Sequence, residues 1–90
     1  MPSHIQAALL VVLADETTVY PDDVKTLTAR DLCPAIGLDT VHAGTIAANL
    51  VALRQRGLAW RQPGPGSGGW CITAEGVAVA RNEEEGGVDV

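Results

Sequence analysis

The chain has 90 residues, 47% of them hydrophobic and 19% charged; this suits one small globular domain and excludes a two-domain enzyme, a disordered chain and a coiled coil. Its formal net charge is −5, so it lacks the all-over positive charge that sequence-blind nucleic-acid binding requires. The layout is uneven: residues 40–81 carry four arginines against the single acid Glu75, between acidic stretches at residues 1–39 and 82–90.

Ser3 and Gln6 stand at capping-box spacing, and Ile5, Ala8, Leu9, Val12 and Leu13 then recur at helical intervals, which predicts a first helix over residues 4–14. Residues 15–23 form a polar connector in which Pro21 suits the first position of a short helical turn. Thr28 with Asp31 repeats the capping logic, and Gly37 supplies a left-handed stop, so a second helix is expected over residues 28–36, with a start nearer Asp22 as the alternative. A third helix is expected over residues 40–56, with Ile46, Leu50 and Leu53 on one face and Gly57 as its stop. Arg54 and Arg56 in its last turn complement the negative end of the helix dipole.

Two β-favouring runs follow, residues 58–62 and 70–73, separated by turn residues, and they read as a hairpin. Thr73 and Glu75 then open a short last helix with Val77, Ala78, Val79 and Ala80, expected to end near Arg81. Residues 82–90, with Glu83, Glu84 and Glu85 in a row, read as a disordered acidic tail on a domain of residues 1–81. The fold class is therefore mainly α with a small β-hairpin. Aromatic residues are only Tyr20, Trp60 and Trp70, so aliphatic and alanine side chains must fill the core, a composition that favours closely apposed helices.

Several chemistries are absent from the pattern. Cys33 and Cys71 are too few and too far apart for a zinc site of the CxxC type, and they read as two free thiols in a reducing compartment. No Gly-x-Ser-x-Gly elbow, HExxH or paired-carboxylate spacing is present, so no catalytic residue, metal or cofactor is assigned. Gly64, Gly66 and Gly69 satisfy G-x-G-x-x-G in form, but a strand follows them where a phosphate-binding loop needs a helix. The apolar run at residues 7–14 is followed at once by Asp15 and Glu16, has no preceding Lys or Arg, and falls well short of the roughly 20 residues that span a bilayer. A soluble, cytoplasmic protein without a membrane partner is expected.

The order helix, helix, turn, helix, hairpin, helix resembles the winged helix-turn-helix domains of bacterial and phage transcription regulators. Residues 45–58 look like their T-hydrophobic-x-x-x-L-x-x-L-x-x-x-G-L segment, and Thr73, Ala74, Glu75 and Gly76 are similar to their L-T-x-x-G element. The resemblance spans residues 4–81 and implies a three-helix core, a wing and double-stranded DNA as partner. With Ile46, Leu50 and Leu53 inward, the outward positions of the third helix are His42, Gly44, Thr45, Ala48, Asn49, Ala52 and Gln55. Thr45, Ala48, Asn49 and Gln55 are then the base-facing candidates, with Asn49 foremost because a carboxamide pairs with adenine. Arg54, Arg56 and Arg61 are the phosphate candidates, Arg61 from the wing.

A homodimer on a two-fold site is expected of so small a domain. The first helix has more apolar surface than one core stripe uses, which nominates Leu10 and Val11 as dimer contacts. An alternative stays open: the acidic first half and tail equally suit a winged-helix adaptor that binds a protein partner and not DNA.

Overall fold

The computed structural model describes residues 4–22, 24–63 and 69–84. In chain order these form helix α1 (His4–Glu16), helix α2 (Ala29–Ala35), a 3-10 turn (Thr40–His42), helix α3 (Ala43–Gln55), strands β1 (Ala59–Arg61) and β2 (Trp70–Ile72), and helix α4 (Ala74–Glu84).

Helix α1 is apolar on nearly all sides because it is the centre of the molecule. It packs against α4, β2, α3 and α2. Leu9, Leu10 and Leu13 are fully buried, and Ile5, Val11, Val12 and Ala14 are half-buried against the same core. Full burial of such a side chain stabilises by about 1.5–3 kcal/mol. The assignment of Leu10 to a dimer surface is therefore overturned, since it has no exposed area to offer. Val11 is largely taken up by the core as well. Ser3, expected to cap this helix, lies outside the described residues; Gln6 reaches across to Asn49 of the third helix.

The connector after α1 does more than link helices. Tyr20 donates its N–H to the Ile72 carbonyl at 2.8 Å, and Leu27 and Trp70 exchange backbone bonds at 3.0 and 2.7 Å. Val19 and Leu27 thus flank the edge of β2 that β1 does not occupy. Pro21 lies in a non-helical turn, so the expected helical turn does not form.

Caps fix the next elements. The Thr28 hydroxyl accepts from the Asp31 N–H at 3.1 Å while the Asp31 carboxylate accepts from the Thr28 N–H at 3.2 Å, which places Thr28 as the cap preceding α2. Helix α2 ends in a Schellman turn: Leu38 donates to the Cys33 carbonyl and Gly37 to that of Pro34, with Gly37 at φ +82°. The same arrangement closes α3, where Leu58 donates to Leu53, Gly57 donates to Arg54, and Gly57 sits at φ +77°. Residues 40–42, expected as the first turn of α3, are the 3-10 segment, and Asp39 caps it through the Val41 N–H at 3.0 Å.

The hairpin pairs Ala59 with Ile72, Trp60 with Cys71 and Arg61 with Trp70. It is shorter than the two predicted runs, and residues 64–68 of its loop lie outside the described residues. Trp70 is buried, whereas Trp60 is half-buried and stacks on Tyr20 with ring centroids 4.6 Å apart. Cys33 and Cys71 are buried and not disulfide-bonded.

Thr73 ties the hairpin to both neighbouring helices. Its hydroxyl donates to the Gly57 carbonyl at 2.7 Å and accepts the otherwise free Gly76 N–H at 3.0 Å. Helix α4 passes so close to the hairpin that a methyl group on Gly76 would overlap the Leu58 carbonyl oxygen and lie 2.7 Å from Ile72 Cγ1. It runs to Glu84, three residues beyond the predicted end, so residues 82–84 are helical and not the start of a disordered tail. Residues 85–90 lie outside the described set.

This packing yields three stability predictions. Leu50→Ala, at a fully buried position of α3, lowers the free energy of unfolding by about 2–5 kcal/mol. Gly76→Ala lowers it by about 1–3 kcal/mol through the clash with Leu58, whereas Gly44→Ala, with open space around its Cβ, raises it by about 0.5–1 kcal/mol. Urea denaturation of the three variants checks the signs, and a Gly76→Ala protein as stable as the parent overturns the close-approach account.

Candidate nucleic-acid interface

Helix α3 buries Ile46, Leu50 and Leu53 and leaves the opposite face open. Gly44, Thr45, Ala48, Val51 and Gln55 are exposed along it, preceded by Thr40, Val41 and His42 of the 3-10 turn. The predicted outward set holds for His42, Gly44, Thr45, Ala48 and Gln55. Asn49 and Ala52 are half-buried, and Val51, which sequence reasoning left out, is 42% exposed.

The position of Asn49 has a specific cause. Its amide nitrogen donates to the Thr45 carbonyl one turn back at 2.9 Å, and its amide oxygen accepts from Gln6 Nε2 of α1 at 3.2 Å. Successive helical residues turn by about 100°, so residue 49 sits one step from Leu50 and close to the core boundary. Its carboxamide therefore links α3 to α1 and does not point from the outer face. The foremost base-reading candidate thus has both ends of its amide engaged within the protein.

Arginines rim the outer face on the wing side. A groove of about 270 Å³ is lined by Ala47 and Val51 of α3, Arg61 and Trp70 of the hairpin, and Thr28, Ala29 and Arg30 around the start of α2. A second, of about 330 Å³, is lined by Arg54, Trp60, Arg61, Gln62 and Pro63. Arg61 belongs to both, and its guanidinium carbon lies 6.0 Å from the Trp70 ring centre, at the limit of a cation–π contact. Trp70 is itself pinned by its backbone bonds to Leu27, so the base of the wing arginine is fixed.

The structure brings Arg54 and Arg61 together along one groove and Arg61 and Arg30 along another. Arg56 is the exposed cap residue of α3 and lines neither groove. Arg30 was not legible as a site residue because nothing in the spacing of the second helix shows which way it docks; the Thr28 cap, which fixes where that helix starts, was the available signal. Among the described residues the one ion pair is Lys25 with Glu16, at 3.8 Å and exposed on both sides. None of Arg30, Arg54, Arg56 and Arg61 has a carboxylate partner in that set. Acidic residues line a different groove, of about 380 Å³, formed by Val12, Asp15, Glu16, Leu27, Asp31 and Ala35.

Among the described residues no group of three His, Cys, Asp or Glu side chains is placed to hold a metal ion. No helix among them is long and apolar enough to cross a membrane.

No protein-family model matches the chain, and no curated protein does. Solved structures do. MepR of Staphylococcus aureus in complex with DNA superposes with a TM-score of 0.68 at 17% identity, over 92% of this chain and 62% of that one. A second MepR structure, described as a transcription regulator of the multidrug efflux pump MepA, gives 0.67 at 18% identity, over 92% of this chain and 56% of that one. The chain therefore spans about three-fifths of the length of these neighbours. Four helices with an antiparallel hairpin after the third, superposable on MepR over nearly the whole chain, make this a winged-helix fold.

Proposed function

We propose that the chain is a DNA-binding transcription regulator that seats the outer face of α3 in the major groove and lays the wing on the adjoining backbone. One observation carries the reading: Arg30, Arg54 and Arg61 rim an exposed helix face and have no carboxylate partner among the described residues. Phosphates are the partners that such a rim fits, and a helix with its core side anchored fills a groove about 12 Å wide. Thr45, Ala48 and Gln55 face the bases in this arrangement, and Arg54, Arg56 and Arg61 with Arg30 contact phosphates. Asn49 serves indirectly, by fixing α3 against α1. The DNA present in one MepR structure supports the reading by analogy of fold.

A homodimer on a two-fold site is part of the proposal, because a single domain of this size covers few base pairs. Its contact surface excludes Leu10. Cytoplasmic location belongs to the same reading, as the compartment of the DNA. The acidic-adaptor alternative is an outcome of the test.

Titration against mixed genomic duplex at several salt concentrations decides the matter. Three or four phosphate contacts per subunit give a log–log salt slope of about −3 to −4 per subunit. Arg61→Ala weakens binding across all sequences and shallows that slope by about 1. Asn49→Ala leaves the slope unchanged and lowers stability by about 0.5–1.5 kcal/mol through loss of the Gln6 bond. Absence of retention even at low salt rejects DNA binding and favours the adaptor.

A further inference from the structure

The outer row of α3 is chemically unusual for a helix facing base edges. Val41 is 78% exposed and Val51 42% exposed, and between them Gly44, Thr45 and Ala48 are exposed at intervals of three or four residues. The row therefore presents mostly methyl groups over about 15 Å at 1.5 Å per residue, the rise of four or five base pairs at about 3.4 Å each. The one carboxamide in its middle, Asn49, is occupied by Gln6 and the Thr45 carbonyl. The exposed polar side chains that remain are Thr40, His42 and Gln55 towards the two ends and Thr45, which carries a methyl beside its hydroxyl.

Val41 of the 3-10 turn and Val51 of α3, in one row with Thr45 and Ala48, gain free energy when a partner of matching shape removes their methyl groups from water. The arginines flanking the row on the wing side, which have no carboxylate partner among the described residues, fit a partner that is anionic at its edge and apolar along its centre. A DNA major groove rich in thymine meets both conditions, with phosphates at its rims and 5-methyl groups on its floor. Resting on the DNA-binding reading above, we propose that α3 and the 3-10 turn before it select their site through contacts between the methyl groups of Val41, Thr45, Ala48 and Val51 and the 5-methyl groups of thymines, not through side-chain hydrogen bonds to purines.

The inference is tested on the DNA, where folding of the protein plays no part. A randomised duplex pool is selected on the full chain, and the enriched duplex is remade with single thymines replaced by uracil or single adenines by 7-deazaadenine. Burial of one methyl is worth about 0.8 kcal/mol, so each contacted thymine loses about three- to five-fold in affinity when changed to uracil. The 7-deaza changes cost less than two-fold. Val51→Ala, at an exposed position, reduces the thymine-to-uracil ratio to near one at a single site while leaving the salt slope unaltered.

Equal affinity for thymine and uracil duplexes, a several-fold loss with 7-deazaadenine, or a pool that stays random despite salt-dependent retention each overturns this inference and leaves DNA binding intact. No retention of any duplex removes both.

Discussion

Everything else in the molecule is arranged around the burial of α1. With no phenylalanine and Trp70 as its one buried aromatic residue, the core has to be built from leucine, isoleucine, alanine and cysteine at short range. A 90-residue chain hides only about two-thirds of its unfolded surface, so a helix enclosed by neighbours on several sides is the efficient way to reach native packing density. Leu9, Leu10 and Leu13 are the floor on which α3 rests by Ile46, Leu50 and Leu53, and against which α4 closes through Ala80. An all-round apolar helix is thus an internal requirement of a small domain, and the surplus that suggests a dimer surface in the sequence is spent inside one protomer.

The second constraint is the junction where α3, the hairpin and α4 meet. Gly57 ends α3 in a left-handed conformation, and Leu58 enters the core and accepts the Thr73 N–H at 3.4 Å. Thr73 bonds both Gly57 and Gly76, and Gly76 lets α4 approach the Leu58 backbone. Four residues that look like a family signature are therefore explained by packing, without reference to any ligand. Their effect is angular: they set the hairpin rigidly against the C-terminal end of α3, so that Arg54 of one and Arg61 of the other line a single groove.

Elements and faces were legible because local physics decides them. The Thr28 and Asp31 capping box, the glycine stops at Gly37 and Gly57, and the aliphatic face of α3 all form as periodicity and cap chemistry require. What escaped was tertiary. Val19 and Leu27 flank β2 through backbone bonds that no side-chain pattern encodes. Asn49 is turned by a glutamine 43 positions away, and a helical wheel places it at a boundary without saying which neighbour takes its amide. Arg30 joins the rim only because α2 docks with its first turn beside the wing. The missed site features share one origin: they depend on the relative placement of two elements, whereas sequence periodicity speaks of one element at a time.

Net charge misleads about this surface for a related reason. At physiological ionic strength exposed charges are screened over about 8 Å, so a phosphate beside the wing responds to the charges in its own vicinity and little to the formal sum of −5 over the chain. Asp15, Glu16 and Asp31 line a groove with Val12, Leu27 and Ala35, to which, among the described residues, neither α3 nor the hairpin contributes. Among the described residues, the grooves beside α3 are lined by three arginines and no acid. An electrostatic contribution from so few cations is modest and salt-sensitive, and in the proposed role it sets a protein on the duplex without holding it at one sequence. Selection then has to come from the outer face of α3. Because Asn49 is committed to Gln6, what that face offers between its ends is shape and methyl groups, with the Thr45 hydroxyl as its single polar group.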